Sequence, residues 1–250
     1  MKRYFIFLAY NGTRYHGWQL QENAHTVQAE LNQKLSALLS VPINVTGCGR
    51  TDAGVHARSF YAHFDMEYAI PDLTQLTYKL NRFLPSDIVV YWIKEVAEAL
   101  HSRFSAVSRT YRYYIATTKN PFLTGFCMTY DGVLNIDHMQ QAAEMLKLFD
   151  DFTSFSKLHT QTHTNICRIT ESKWQQEPGL LVYTVTADRF LRNMVRAIVG
   201  TLFEVGKGKL QPEQIKTIIE SKDRANAGFS VPAEGLFLED VTYPANAFEP

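Results

Sequence analysis

Gly47-Cys48-Gly49-Arg50-Thr51-Asp52-Ala53-Gly54-Val55-His56-Ala57-Arg58 sets one carboxylate in a glycine-bracketed turn between two arginines. An apolar, β-branched run, Val41 to Val45, leads in, and an alternating run of Phe60, Ala62, Phe64 and Met66 leads out. The pattern reads as a loop carried on two strands. Asp and Gly are ordinary turn residues, so on composition alone a turn with a self-capping Asp and solvated arginines stands beside a functional loop.

The segments around this loop alternate in a defined order. A strand over Arg3 to Tyr10 precedes an amphipathic helix that starts near Thr26, its cap, with Val27, Leu31, Leu35 and Leu38 on one stripe. The strand ending near Thr46, the loop and the strand Phe60 to Met66 follow. Pro71-Asp72 opens a second helix with Leu73, Leu76, Leu80 and Phe83 as its stripe and Pro85 beyond its end, and Ile88 to Val96 is again a strand. This β-α-β-β-α-β order is the ferredoxin-like split arrangement.

A comparable order returns after Leu100. Strands near Thr110 to Thr117 and Phe126 to Tyr130 precede a helix from Asp137 with Met139, Ala143, Leu146 and Phe149 inward. Strands Ile166 to Gln175 and Leu181 to Thr186 flank a Glu177-Pro178-Gly179 turn. A long helix from Phe190 to about Val205, a shorter one from Pro212 and a strand Leu236 to Tyr243 complete the reading. The expected class is α+β, with halves at residues 1–100 and 101–250. Lys119 to Thr124 and Leu158 to Thr164 read as linkers, the latter an exposed loop.

With 250 residues, 46% of them hydrophobic, the chain can bury a core without disulfides. The apolar run after Met1-Lys2-Arg3 is too short to cross a bilayer and lacks a cleavage site. Cys48, Cys127 and Cys167 are an odd number at wide spacing, which fits a reducing, cytoplasmic compartment. The 25 basic and 25 acidic side chains give a formal net charge of zero, so any polyanion must meet a local basic surface. Arg50 and Arg58, Arg103, Arg109 and Arg112, and Arg189, Arg192 and Arg196 cluster near the motifs.

The run Gly49 to Ala57 closely resembles the signature loop of the TruA-type tRNA pseudouridine synthases. Collinear matches extend over nearly the whole chain: Tyr10-Asn11-Gly12-Thr13 with Tyr15, Gly17, Trp18 and Gln19; Phe104-Ser105-Ala106 with Arg109-Thr110-Tyr111-Arg112-Tyr113; Asp151 to Phe155; Phe190 to Arg196; and Ala233-Glu234-Gly235-Leu236. The resemblance implies the pseudouridine synthase fold, two ferredoxin-like (βαββαβ) halves with mostly antiparallel sheets flanking a central catalytic cleft. It implies isomerisation of uridine to pseudouridine at positions 38–40 of the tRNA anticodon stem-loop by a homodimer without cofactor or metal.

The same resemblance assigns the site. Pseudouridine formation breaks the bond from ribose C1′ to uracil N1 and joins C5 to the same carbon, which requires a nucleophile or base beside C1′. Asp52 matches the family's catalytic acid; attack on C1′ and removal of a C2′ proton both remain open. Arg50 matches the arginine that helps displace the target uridine from its stack, a step needed because the stacked base is inaccessible. Arg196 matches the arginine paired with the aspartate, and Tyr111 the tyrosine that packs on the uracil. Read without the family, Arg50 and Arg196 equally suit phosphate contacts or surface ion pairs, and Tyr111 and Tyr113 suit ordinary sheet positions.

His159, His163 and Cys167 fall at helical spacing, but the interleaved threonines weaken a helix there and no metal is expected. Cys48 reads as a small packed residue. Arg58-Ser59-Phe60 and Ala187-Asp188-Arg189 depart from the family pattern and bear on the rim of the pocket. Two other classes are open to the same scaffold: an inert RNA-binding protein, and a nucleoside hydrolase, which would call for a second carboxylate.

Overall fold

The computed structural model describes residues 1–157 and 164–248. The expected loop over Leu158 to Thr164, apart from Thr164, lies outside the described residues, as do His159 and His163. By its internal contacts the chain forms two units, Met1–Val107 with Leu238–Pro250, and Ser108–Phe237. The segment from Leu238 onward thus groups with the first unit, not with the residues that precede it.

In the first unit β1 (Lys2–Tyr10), α1 (Val27–Leu39), β2 (Thr46–Gly47), β3 (His56–Met66), α2 (Leu73–Phe83) and β4 (Ile88–Val96) follow in order. β1 is central, antiparallel to β3 on one side and to β4 on the other, and β2 pairs with β3. Alternation places Tyr4, Ile6 and Leu8 opposite Phe64, Ala62 and Phe60, all buried, and the Tyr4 and Phe64 rings stack at 5.4 Å. α1 starts where the Thr26 hydroxyl accepts from Ala29 N–H, and α2 where the Asp72 carboxylate accepts from Gln75 N–H. Their stripes bury Leu31, Leu35, Leu76 and Leu80, each contributing on the order of 2 kcal/mol.

One expected strand is absent. Val41 to Val45 is not paired as a strand because helix side chains take its backbone groups: Ile43 N–H donates to Ser36 Oγ (2.8 Å), Val45 N–H to Asn32 Oδ1 (2.9 Å), and Gln28 Nε2 donates to Val45 O (2.7 Å). β3, by contrast, begins earlier than its alternation implies, since after a register shift Tyr10 still pairs with Ala57.

A buried histidine is expected to make this unit sensitive to acid. His63 is 4% exposed, its Nδ1 lies 2.8 Å from Ser102 Oγ, and its ring stacks on Phe5 at 5.7 Å. Burial, then the nearby Arg3 and His101, lower its pKa from 6.5 to about 4. The unfolded chain therefore binds this proton more readily, so the contribution is fully present above about pH 6.5 and is lost as pH falls through about 4. A shift of this size is worth on the order of 2–3 kcal/mol. Denaturant unfolding of the wild type is expected to show that loss between pH 7 and 4.5, and His63→Gln to flatten it; a wild type equally stable at both values would overturn the assignment.

In the second unit β5 (Ser108–Ala116), β6 (Met128–Thr129), α3 (Ile136–Met145), β7 (Ile169–Glu177), β8 (Leu180–Ala187), α4 (Met194–Gly206) and α5 (Gln214–Glu220) follow, and β9 (Leu236–Thr242) leads back to the first unit. β8 is antiparallel to both β5 and β7, whereas β6 is parallel to β5. Gly179, at φ 74°, closes the β7–β8 hairpin as the turn signal implies. α4 is mostly apolar and almost wholly buried, except at Arg196 and Glu204, which lie eight residues apart. It starts at Met194 instead of Phe190, because Asn193 adopts a left-handed φ of 65° and holds the preceding residues out of the helix. The fold is mixed α/β with mostly antiparallel pairing. No helix among the described residues is long and apolar enough to cross a membrane.

Candidate active site

The loop bearing Asp52 does not hold its own shape; the segment after β1 does. Within the loop, Val55 N–H donates to Asp52 O at 3.1 Å, and Gly54, at φ 79°, supplies the left-handed third residue of that turn. Further fixed points come from Tyr10 to Trp18, and at the loop's entry Cys48 N–H donates to Tyr61 O of β3 at 2.7 Å. The Tyr10 and Thr51 hydroxyls share a buried 2.8 Å hydrogen bond across 41 residues of chain. Trp18 N–H donates to Thr51 O and Gly54 N–H to Tyr15 O, both at 3.2 Å, and Gly12 N–H donates to His56 Nδ1 at 3.1 Å.

Close approach explains the residue types in this cradle. A Cβ on Gly12 would lie 2.0 Å from Val55 O, and one on Gly17, at φ 88°, would lie 2.3 Å from Thr51 O and 3.1 Å from the Asp52 carbonyl carbon. Trp18 is 1% exposed and stacks on Phe60 at 4.1 Å, which anchors the cradle to β3. The result is a half-buried Asp52 on a backbone clamped on both sides. Tyr10, Gly12, Gly17 and Trp18 match the family's motif in sequence, but only the folded chain gives them this role; their glycine-aromatic spacing is the signal the sequence carries.

Arg50 shares the loop and is exposed, with its Nε donating to Gln19 Oε1 at 3.1 Å. Gln19 in turn donates to Gln28 Oε1 (3.1 Å), and buried Gln28 donates to Val45 O (2.7 Å), so a relay of amides sets the guanidinium's base. Cys48 is buried, and its Sγ accepts from Tyr61 N–H at 3.5 Å, as a packed residue would. His56 is buried with Nδ1 engaged by Gly12. Among the described residues no three His, Cys, Asp or Glu side chains gather as a metal set.

Tyr111 and Arg196 belong to the second unit. Tyr111 lies on β5 opposite Val185, half-buried, with its ring edge-on to Phe190 at 5.1 Å. Tyr113, on the same face of the strand, is fully buried, and its hydroxyl donates to Pro232 O at 3.0 Å. Burial pushes the Tyr113 phenol pKa upward, so it stays neutral and structural. Arg196 stands in the first turn of α4, where its Nε donates to Val231 O (2.7 Å) and its own carbonyl accepts from Val231 N–H (3.2 Å). This exchange aims the guanidinium from a rigid base.

The departures from the family pattern have structural partners. Asp188 Oδ1 accepts from Arg168 N–H (2.8 Å) and Arg189 N–H (2.7 Å), tying the entry of β7 to the exit of β8, while Arg109 Nη1 donates to Asp188 O (2.8 Å). Arg58 of β3 pairs with Glu239 of β9 at 3.4 Å.

Comparison with known proteins is consistent along the whole chain. A family model described as tRNA pseudouridine synthase matches residues 142–244. The chain is 52% identical over 248 residues to tRNA pseudouridine synthase A of Parabacteroides distasonis, covering 99% of this chain and 98% of that protein. It is 51% identical over 251 residues to the Porphyromonas gingivalis protein of the same name, covering 99% and 100%. To the Clostridium acetobutylicum protein of that name it is 41% identical over 245 residues, covering 97% and 100%. With matches of this extent spanning both the Asp52 loop and the Arg196 helix, the chain belongs to the tRNA pseudouridine synthase family.

Proposed function

We propose that this isomerase, which converts uridine to pseudouridine in tRNA, acts at positions 38–40 of the anticodon stem-loop with Asp52 as its catalytic group. The observation that carries the reading is the clamped loop: a nucleophile or base must be held within a fraction of an ångström of C1′, and a half-buried carboxylate on an over-determined backbone meets that need. Asp52 attacks C1′ and is displaced again when C5 bonds to that carbon, or takes the C2′ proton and returns it as C5 adds; either route cleaves the C1′–N1 bond, frees the uracil to turn, and forms C1′–C5, after which the C5 proton is lost and N1 carries a hydrogen. The base never leaves the enzyme, so neither oxidant nor water is consumed.

Tyr111 is assigned the stacking of the target uracil, supported by its half-buried ring beside Phe190. Arg50 is assigned the displacement of the uridine, supported by its exposure and its amide relay, and Arg196 the support of Asp52. The resemblance further implies a cytoplasmic homodimer built from two ferredoxin-like halves. For the first half, support comes from the β4-β1-β3 order with β2 beyond β3 and one helix in each crossover.

Incubating the protein with unmodified tRNA transcripts and mapping pseudouridine by carbodiimide-dependent primer extension tests this. Product confined to positions 38–40 supports the reading. Product elsewhere in the tRNA overturns the position, and release of free uracil would point to hydrolysis instead.

A further inference from the structure

Phe104 lies in a motif the catalytic assignment leaves without a task, and its surroundings are unusual for an exposed apolar side chain. It is 76% exposed. Single surface hydrophobics are common and by themselves call for no explanation; this one sits on a turn fixed by side-chain hydrogen bonds. His101 Nδ1 accepts from both Arg103 N–H (3.0 Å) and Phe104 N–H (3.3 Å), Ser105 N–H donates to His101 O (2.9 Å), and Ser105 Oγ accepts from His101 N–H (2.9 Å). The imidazole thus backs the turn from within. Its ring also packs on Phe104 at 4.4 Å, and the Arg103 guanidinium stands 5.5 Å from the Phe104 ring centroid.

The turn is bonded to the strands that carry the Asp52 loop. Ser102, fully buried, donates from Oγ to Thr46 O at 2.8 Å and contacts His63 Nδ1, and its carbonyl accepts from the Tyr243 hydroxyl. Thr46 belongs to β2, which enters the loop, and His63 to β3, which leaves it. Phe104 and Asp52 therefore belong to the same unit, with the Phe104 turn bonded to both strands that flank the Asp52 loop. A fixed aromatic face with a guanidinium beside it is what stacks an unpaired base while neutralising its phosphate, and a preformed turn needs no ordering on binding.

We propose that Phe104, backed by His101 and flanked by Arg103, is a stacking platform for an unpaired base of the substrate tRNA other than the target uridine. The proposal rests on tRNA being the substrate. It makes Phe104 a binding residue, acting on affinity and not on the reacting atoms.

The test is equilibrium binding and single-turnover kinetics of Phe104→Ala, Phe104→Leu and Phe104→Trp with an unmodified tRNA transcript. Loss of one base stack weakens binding about tenfold or more, so Phe104→Ala and Phe104→Leu should raise Kd by that factor. Phe104→Trp should restore it, and the rate at saturating tRNA should stay within about twofold of the wild type, since no reacting atom is touched. With anticodon arms carrying one abasic nucleotide at a time, the penalty of Phe104→Ala should vanish at the contacted position. Wild-type affinity in Phe104→Ala, full rescue by Leu, or a penalty unchanged by every abasic site would overturn the platform. So would a change in sedimentation with tRNA affinity intact, which would assign Phe104 to a protein contact. A wild type that neither binds nor modifies tRNA would instead refute the substrate on which the proposal rests.

Discussion

Asp52→Asn is expected to abolish pseudouridine formation, by about 10⁴-fold or more in single-turnover rate, the scale seen when a nucleophile is removed. The amide keeps the size and the hydrogen-bonding reach of the carboxylate but can neither attack C1′ nor take a proton. The loop should not move, because Thr51, Gly54 and Val55 are held through backbone groups and the Thr51 hydroxyl, none of which involves the Asp52 side chain. Melting temperature should therefore change little, and tRNA affinity should stay within a few-fold, since phosphate contacts supply most of it. Near-normal turnover in the mutant would remove Asp52 from the mechanism. A large loss of binding with turnover intact at saturation would make it a binding residue.

Gly17→Ala should also lower turnover steeply, without touching a reacting group. The added methyl would meet Thr51 O at 2.3 Å, the Asp52 carbonyl carbon at 3.1 Å and Ala53 N at 3.3 Å, all backbone atoms, at a φ of 88° that alanine resists. Left-handed backbone costs about 1 kcal/mol for alanine, and the rest of the strain is relieved only by displacing the segment that bears the carboxylate. A misplacement of about 1 Å costs on the order of 10²-fold in rate, so turnover should fall at least that far while tRNA affinity falls much less. Gly49→Ala is the stability control: nothing lies within 4 Å of a Cβ there, and its melting temperature should match the wild type. Full activity in Gly17→Ala would show that the cradle does not set the position of Asp52.

What could be read in the chain, and what could not, follows from the range of the interactions. Thr26 and Asp72 mark their helices because a cap is local chemistry, and Ile88–Val96 is a strand by its own alternation. Val41 to Val45 misled because its β-branched residues suit a strand while its amides are claimed by Ser36 and Asn32 of a helix. The start of α4 was misplaced by a single left-handed residue, Asn193, which no periodicity reveals. At the site, Asp52 and Arg50 stand out as a motif, yet the reason the loop is rigid resides in contacts from Tyr10 to Trp18 that only folding brings near. The glycines there are short because backbone passes against them, which is information about space and not about the local chain.

The second unit, Ser108–Phe237, lies in sequence inside the first, which resumes only at Leu238. Emerging from a ribosome, the strands around Asp52 appear early, but the pieces that cover them come last: Tyr243, whose hydroxyl holds the Ser102 carbonyl, and Phe248, whose ring packs against Phe5, Tyr61 and Trp92. At roughly 5–20 residues per second, the intervening stretch delays that cover by on the order of ten seconds. During this interval Phe5 and Tyr61 face solvent or a chaperone. A nascent chain stalled before Leu238 would therefore carry the Asp52 loop on a unit that still lacks this cover.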